Sequence, residues 1–386
     1  MAPLAPLAPE ILVVGGGIIG LACARELALA GFKVEVLERL SAGGEASLAA
    51  AGLLSPMAEA EPGPLLDACR ASRDLWLSWV PALAEETGLS IEHDASGSIL
   101  IACDDREEVW LDRVAGLARG CGEPVEEIDG SALCRWVPDA SPGIRRSLLL
   151  PGEHRVDNVQ ATTILSIAAR KAGVTVTHGV EVERIERAGD GVRLVGRDGD
   201  REAGLLVMAA GSWSGHIPGI PTLPVRPVRG QMLMLGGVDW PWNGSLRGPH
   251  DYVVRRGATG LLVGATVEEA GFASHNTAGG VERLLRFALH ALPGLETARL
   301  ETTWAGLRPA TPDGLPIVGP VPGWPVLAAT GHYRNGILLA PWTAREIARL
   351  ARTLAAGDFE DAGSFSPARF LQPETADPLS PGAASV

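Results

Sequence analysis

Three glycines near the start of the chain have the spacing of a phosphate-binding turn. Gly15, Gly17 and Gly20 lie in GGGIIG, after the apolar run 11–14 and before a segment of helical composition, 21–30. In such a turn the first glycine permits the tight bend, the second lets the backbone approach a pyrophosphate, and the third lets the helix pack against the strand. Free N–H groups at the helix N-terminus attract the phosphate. The pattern predicts a dinucleotide site rather than a purely structural turn.

The acid that follows the next strand narrows the choice of dinucleotide. Glu38 comes directly after the predicted strand 34–37, where a carboxylate accepts hydrogen bonds from a ribose and would repel a 2′-phosphate. NADP is therefore not expected, and FAD and NAD remain. FAD is favoured because this unit comes first in the sequence, with no substrate domain ahead of it. It is favoured also by a run of small residues in 47–52 that would let a flavin lie close; the alternative is a mobile linker.

A single arginine lies in a stretch rich in glycine and proline, GLRPATPDGLPIVG, residues 306–319. Proline removes backbone donors and glycine adds conformational freedom, so the stretch is predicted to be a stiff loop and not a helix or a central strand. Arg308 on such a loop is solvated, paired with Asp313, or directed at a bound group.

A second helix N-terminus is predicted near Gly336, in AATGHYRNGILLAPWTAREIARL. Arg334 and Asn335 lie at the turn before it. Backbone donors there suit a flavin ring, which becomes anionic on reduction. His332 is assigned a packing or turn role, and Trp304 a place in the core.

Coarse patterning predicts βα units at both ends of the chain and a β-rich middle, and therefore two interleaved domains. Helical patterns cover 64–86, 281–292 and 337–354, and strand patterns cover 98–102, 174–177, 182–185, 205–209, 231–237, 251–257, 260–266 and 326–329. The expected class is α/β, with a Rossmann-like (GR2-type) FAD-binding domain interleaved with an antiparallel-sheet α+β substrate domain. The segments expected for the FAD domain are 10–85, 150–225 and 305–360, and those for the substrate domain are 86–149 and 226–304.

Composition excludes several classes of protein. Hydrophobic residues make up 46% and charged residues 20%, as in a globular protein. A formal net charge of −13 argues against a nucleic-acid partner. Five cysteines show no metal-ligand spacing, so we predict idle thiols in a reducing compartment and no metal site.

No segment has the length and hydropathy of a membrane span, and the first residues lack the pattern of a signal peptide. We therefore expect a cytoplasmic protein with flexible tails at 1–9 and 372–386. The sequence does not fix the oligomeric state, and a homo-oligomer is compatible with it.

Five segments together resemble the D-amino acid oxidase superfamily of FAD amine oxidases, and within it the glycine oxidase branch of thiamine biosynthesis. The segments are VVGGGIIGLACARELA, AAAGLLSP, AAGSWSG, WAGLRPATPDGLPIVG and GHYRNGILLAPWT. The resemblance covers residues 11–354. The last two segments are its most specific part, because the glycine motif alone is found in many flavoproteins.

The resemblance implies FAD-dependent oxidative deamination of glycine and other small amino acids or amines, such as sarcosine and small D-amino acids. The products would be the 2-oxo acid, ammonia and hydrogen peroxide, in the service of thiamine thiazole biosynthesis. Arg308 would bind the substrate carboxylate through its forked guanidinium, and Tyr252 would touch the same carboxylate. Arg334 would lie at the flavin edge near the substrate. No general base is required, since a substrate amine that has lost its extra proton can expel hydride.

The predicted cofactor contacts lie in the glycine turn, the small-residue run and the second helix N-terminus, or match single family positions. They are Gly15, Gly17, Ile18, Ile19, Gly20, Glu38, Arg39, Ala50, Ala51, Gly52, Leu53, Val182, Gly211, Trp213, Arg334, Asn335, Gly336, Ile337 and Leu338. No cysteine follows Cys134, so the C-terminal thiol that links flavin in the sarcosine oxidase branch is missing and FAD is expected to be non-covalent.

Other interpretations stay open at this point. Tyr252 is alternatively a plain strand aromatic, and Arg334 a structural cap or ion-pair partner. The same residues would serve a flavin-dependent D-amino acid dehydrogenase that passes electrons to a carrier other than oxygen. A FAD-dependent binding factor without turnover and an NAD-dependent dehydrogenase are further alternatives.

Overall fold

The computed structural model describes residues 10–41, 43–59, 61–358 and 360–371. The tails expected to be flexible lie outside the described residues. The helices of the described part are α1 Ile18–Leu29, α2 Ala46–Ala49, α3 Pro56–Glu59, α4 Pro64–Thr87, α5 Asp105–Gly120, α6 Gly130–Trp136, α7 Asn158–Lys171, α8 Ala278–Ala291 and α9 Gly336–Ala355.

The strands of the described part fall into four sheets. They are β1 Ile11–Val14, β2 Val34–Glu38, β3 Leu53–Leu54, β4 His93–Asp94, β5 Ser98–Ala102, β6 Glu126–Ile128, β7 Arg146–Leu150, β8 His154–Val156, β9 Thr175–His178, β10 Val182–Ala188, β11 Gly191–Gly196, β12 Arg201–Ala203, β13 Leu205–Met208, β14 Arg226–Gly236, β15 Ser245–Arg247, β16 Tyr252–Arg256, β17 Gly260–Gly264, β18 Arg299–Ala310, β19 Ile317–Pro320 and β20 Val326–Thr330.

The first sheet has six strands in the order β19-β20-β13-β1-β2-β9 and is parallel except at β19. Strand β1 is apolar and buried along its whole length, as a parallel strand covered on both faces must be. Ile11 and Val13 pack in the cluster formed with α1, α7 and α9. Leu12 and Val14 alternate to the opposite face and pack against residues of the small β10–β12 sheet.

The second large sheet has eight strands in the order β18-β14-β17-β16-β15-β5-β7-β6 and is antiparallel except where β15 meets β5. Its strands come from residues 98–150 and 226–310, whereas those of the parallel sheet come from 11–38, 175–208 and 317–330. The α/β class with two interleaved sheet regions is confirmed. The proposed domain boundaries stay a prediction.

One local prediction is wrong. Residues 306–310 do not form a loop but continue β18, the edge strand of the eight-stranded sheet, where Arg308 pairs with Val228 of β14. Proline is tolerated there because an edge strand leaves one side of its backbone without a ladder partner.

The long helix α4 agrees with its pattern. Trp76 and Trp79 are both buried, with ring centroids 6.0 Å apart, and the helix ends at Gly88 in a left-handed conformation. Among the described helices, none combines the length and apolar character needed to cross a bilayer. The cytoplasmic location stays a prediction.

Candidate active site

A pocket of about 320 Å³ lies where the parallel sheet, the small-residue loop and the eight-stranded sheet meet. Its lining includes nineteen predicted site residues: Gly15, Gly17, Ile18, Ile19, Glu38, Arg39, Ala50, Ala51, Gly52, Leu53, Val182, Gly211, Trp213, Tyr252, Arg308, Arg334, Asn335, Gly336 and Ile337. Segments that are far apart in the sequence therefore converge on one cavity.

Two predicted cofactor residues do not line the pocket. A Cβ on Gly20 would lie 1.9 Å from the carbonyl oxygen of Gly15, so Gly20 serves the packing of α1 on its turn. Leu338 is 1% exposed and belongs to the helix-side core, where its carbonyl accepts hydrogen bonds from Ser72 and Trp76.

The glycine turn packs closely against its neighbours. Gly15 has φ +108°, and a Cβ there would lie 2.3 Å from the carbonyl oxygen of Ala209 on the neighbouring strand end. The Glu38 carboxylate accepts a 2.7 Å hydrogen bond from the N–H of Gly16 and a 2.9 Å bond from that of Leu40. Glu38 thus fixes the turn and also lines the pocket, where it is placed to accept from a ribose.

The small-residue run is anchored and is not a free linker. The Ser47 hydroxyl accepts a hydrogen bond from the N–H of Ile18 at 3.0 Å, and Asn158 donates to the Ser47 carbonyl at 2.8 Å. Gly52 has φ +79°, and a Cβ there would lie 1.9 Å from the Val156 carbonyl oxygen. The loop can approach β8 this closely only because position 52 has no side chain.

Arg308 and Tyr252 lie at the end of the pocket that is formed by the eight-stranded sheet. Arg308 donates a 2.9 Å hydrogen bond to the carbonyl of Thr266 and forms no ion pair with any of the described residues. Asp313, the alternative partner, pairs with Arg369 instead. Burial lowers the pKa of Arg308, and burial raises that of Tyr252. The guanidinium is therefore a charge in a partly desolvated place without an acid of its own.

The third predicted element is the turn before α9. Arg334 points into the pocket with 29% of its side chain exposed, and its Nη1 lies 3.5 Å from Glu59. Tyr333 adopts φ +48°, and its N–H donates to the carbonyl of Pro309, which ties this turn to β18. His332 is buried, contacts Thr343 at 2.9 Å and has its pKa lowered by burial to about 3, as a packing role implies.

Sequence reasoning missed several lining residues. The lining also includes Glu59, Ser55 and His250. Arg247 forms an ion pair with Glu59 and so helps to hold the pocket wall in place. Glu59 follows the small-residue run by only a few positions, which is a weak signal. Nothing in the sequence around Arg247 distinguishes it from other strand arginines.

The residues present fit FAD. Helices α1 and α9 both begin at the pocket, and neither has a side-chain cap or an acid in its first turn. Apart from the N–H of Ile18, which donates to Ser47, the first N–H groups of these helices are open to a pyrophosphate and to an electron-rich ring. Gly211 has φ +53° with nothing within 4 Å of where a Cβ would be, so the pocket is open at the end of β13.

These features define a dinucleotide-binding flavoprotein of the oxidoreductase class. The chain belongs to the FAD dependent oxidoreductase (DAO) family, whose model matches residues 10–350. It is 37% identical to the bifunctional protein ThiO/ThiG of Synechocystis over 94% of this chain and 54% of that protein. The chain thus spans about half the length of the bifunctional relatives it matches.

Two further proteins are similar to this chain over nearly the full length of both chains. The chain is 34% identical to a glycine oxidase of Pseudomonas aeruginosa over 89% of this chain and 95% of that one. Its fold matches the crystal structure of glycine oxidase from Geobacillus kaustophilus with a TM-score of 0.87 and 32% identity, covering 95% of this chain and all of that one.

Proposed function

We propose that this protein is a FAD-dependent amino acid oxidase that acts on glycine and other small amino acids or amines, such as sarcosine and small D-amino acids. Glycine, dioxygen and water would give glyoxylate, ammonia and hydrogen peroxide. The observation that carries the proposal is Arg308, which lies beside Tyr252 in the family's cofactor pocket without an acid partner among the described residues. The names of relatives that share most of the chain support the same activity.

The chain's own groups bind and orient the substrate in this proposal. Arg308 binds the substrate carboxylate with two parallel N–H donors, and the Tyr252 hydroxyl donates to the same group. Both side chains lie in a site partly closed to water, where such hydrogen bonds are stronger. Arg334, held by Glu59, closes the side of the pocket near the α9 turn. Bound FAD would supply the acceptor for the hydride equivalent.

The cofactor would be held by the residues that line the rest of the pocket. The N–H groups at the start of α1 bind the pyrophosphate, Glu38 binds a ribose, and the start of α9 stabilises negative charge on the ring system. None of the cysteines in the described part lines the pocket, which supports non-covalent binding.

The biological role is proposed on the names of the bifunctional relatives. These relatives are named bifunctional ThiO/ThiG proteins, and this chain spans 54% of the one from Synechocystis. Together with the resemblance of the sequence segments, this leads us to propose that the product of this chain serves thiamine thiazole formation.

The test is a spectrum followed by an anaerobic titration. The purified protein should be yellow, and its visible absorption should bleach with glycine, sarcosine, D-alanine or D-proline in the absence of oxygen. Under air, peroxide should form in step with substrate loss; dye reduction without peroxide would instead identify a dehydrogenase. Arg308→Ala should stay yellow and lose most turnover. A colourless protein that ignores added FAD, or a fully active Arg308→Ala variant, would contradict the proposal.

A further inference from the structure

The pocket wall contains an acidic residue, Glu59, that lies between two arginines. The proposed reaction does not explain why an acid is present there. Glu59 ends the short helix α3, and its side chain is 13% exposed. One carboxylate oxygen pairs with Nη2 of Arg247, and the other lies 3.5 Å from Nη1 of Arg334. Arg334 therefore shares its charge with Glu59, whereas Arg308 in the same pocket has no acid partner among the described residues.

Two buried ionisable side chains, Arg247 and Glu153, hold Glu59 in this place. Arg247, with 5% of its side chain exposed, pairs in register with Tyr252 and lies 5.8 Å from the centroid of that ring. Glu153 accepts hydrogen bonds from the N–H groups of Met57 and Ala58, at 3.1 and 3.0 Å, and so fixes the position of α3. These contacts therefore fix the position of the Glu59 carboxylate, which is not free to rotate as an exposed side chain would be.

The surrounding charges keep Glu59 ionised. Burial alone would raise the pKa of Glu59, but Arg247, then Arg334 and Arg308, outweigh it and hold that pKa below its usual value. Glu153, by contrast, has its pKa raised by burial. Near Tyr252, Arg308 thus has no acid partner among the described residues, whereas Arg334 is already partly neutralised by Glu59.

Building on the proposed function, we propose that Glu59 is a specificity-determining residue, which limits the pocket to substrates with one carboxylate, and that Arg247 is the residue that positions it. The substrate's first carboxylate takes Arg308. A second anionic group that reached for Arg334 would also meet the negative charge of Glu59, and like charges in a partly desolvated site repel strongly. Without that charge, Arg334 becomes a second anion site.

The test measures binding of two non-oxidisable acids to the FAD-containing protein. Acetate carries one carboxylate and malonate two, and both are titrated by the change in the visible flavin spectrum. Glu59→Gln should raise the preference for malonate over acetate by about tenfold, which corresponds to about 1.4 kcal/mol. Glu61→Gln, a change of the same type at an exposed glutamate two positions on, should leave the ratio unchanged. An unchanged ratio in Glu59→Gln, or an equal gain for both acids, would overturn the proposal.

Two more variants keep the test decisive. If Glu59→Gln does not fold because Arg247 is left buried without its partner, the double variant Glu59→Gln/Arg247→Gln removes both charges and should show the same gain for malonate. Adding Arg334→Gln to Glu59→Gln should abolish the gain; a gain that persists would exclude Arg334 as the second anion site. Because the ratio needs no turnover, a protein that ignores glycine but shows these shifts would end the proposed function and leave this assignment intact.

Discussion

A single methyl group at position 230 should disable the substrate site without unfolding the protein. Gly230 lies on β14, opposite Gly306 of β18. A Cβ at this position would lie 2.3 Å from both terminal nitrogens of Arg308 and 2.4 Å from the carbon between them. The three atoms nearest to the new methyl group thus all belong to the guanidinium of Arg308.

The size of the effect follows from the distance that the guanidinium has to move. Ordinary contacts begin at 3.4 Å, so the guanidinium must withdraw by about 1.1 Å from its 2.3 Å starting distance. Because it is the far end of a flexible side chain, the strand register survives. A misplacement of about 1 Å costs on the order of 100-fold in rate, so we expect kcat/KM for glycine to fall about 100-fold, or about 2.7 kcal/mol in transition-state binding.

The assay is peroxide formation over a range of glycine concentrations, together with flavin content and Tm. Gly116→Ala is the matched control, since nothing lies within 4 Å of a Cβ at that exposed helical position. A Gly230→Ala variant with wild-type kcat/KM would refute the placement of Arg308. Loss of flavin or of cooperative unfolding would show that the methyl group acts elsewhere.

Three further outcomes are expected. Arg308→Lys should keep its flavin but lose most activity with glycine, since an ammonium cannot bind a carboxylate with two parallel donors; steady-state kinetics check this. Gly15→Ala should lose flavin, because a Cβ there would lie 2.3 Å from the Ala209 carbonyl oxygen. Gly31→Ala, at φ +97° with open space around the Cβ, should keep its flavin. The ratio of flavin to protein in the two purified variants tests this prediction. The pKa of His332 is about 3 when folded and near 6.5 when unfolded. Between these two pH values the unfolded state binds one more proton, so the free energy of unfolding should fall by about 1.4 kcal/mol for each pH unit of acidification. A His332→Gln variant should lose that contribution in urea titrations.

The parts of the site that the sequence predicts well are those whose geometry is local. Gly15 and Gly17 lie between a strand and a helix a few residues apart, so spacing alone predicts the turn. Spacing does not tell which side of a helix faces a ligand: Ile337 lines the pocket, while its neighbour Leu338 points into the core. Adjacent helical residues differ by about 100° around the axis, and only the packing partner decides between them.

Contacts between residues that are far apart in the chain could not be predicted from the sequence. Glu59 and Arg247 are 188 positions apart and meet only because α3 packs beside β15. The assignment of 306–310 to a loop failed for a related reason. Glycine and proline lower the local preference for a strand, but pairing with β14 over the length of β18 outweighs that preference.

Strand β18 joins Arg308, the proposed substrate anchor, to the segments that line the proposed cofactor part of the pocket. Trp304 donates from its ring to the carbonyl of Ala49, and Gly306 passes so close to Ala49 that a Cβ would lie 2.4 Å from it. One residue on, the carbonyl of Leu307 accepts a 3.0 Å hydrogen bond from the hydroxyl of Ser212. Arg308 comes next on the same strand. Within five consecutive residues the chain thus contacts two segments that line the pocket, at Ala49 and at Ser212, and presents the guanidinium. If Arg308 binds the substrate carboxylate as proposed, the distance between that carboxylate and the cofactor would be set by one strand, and positioning of that kind accounts for much of what such a site contributes to catalysis.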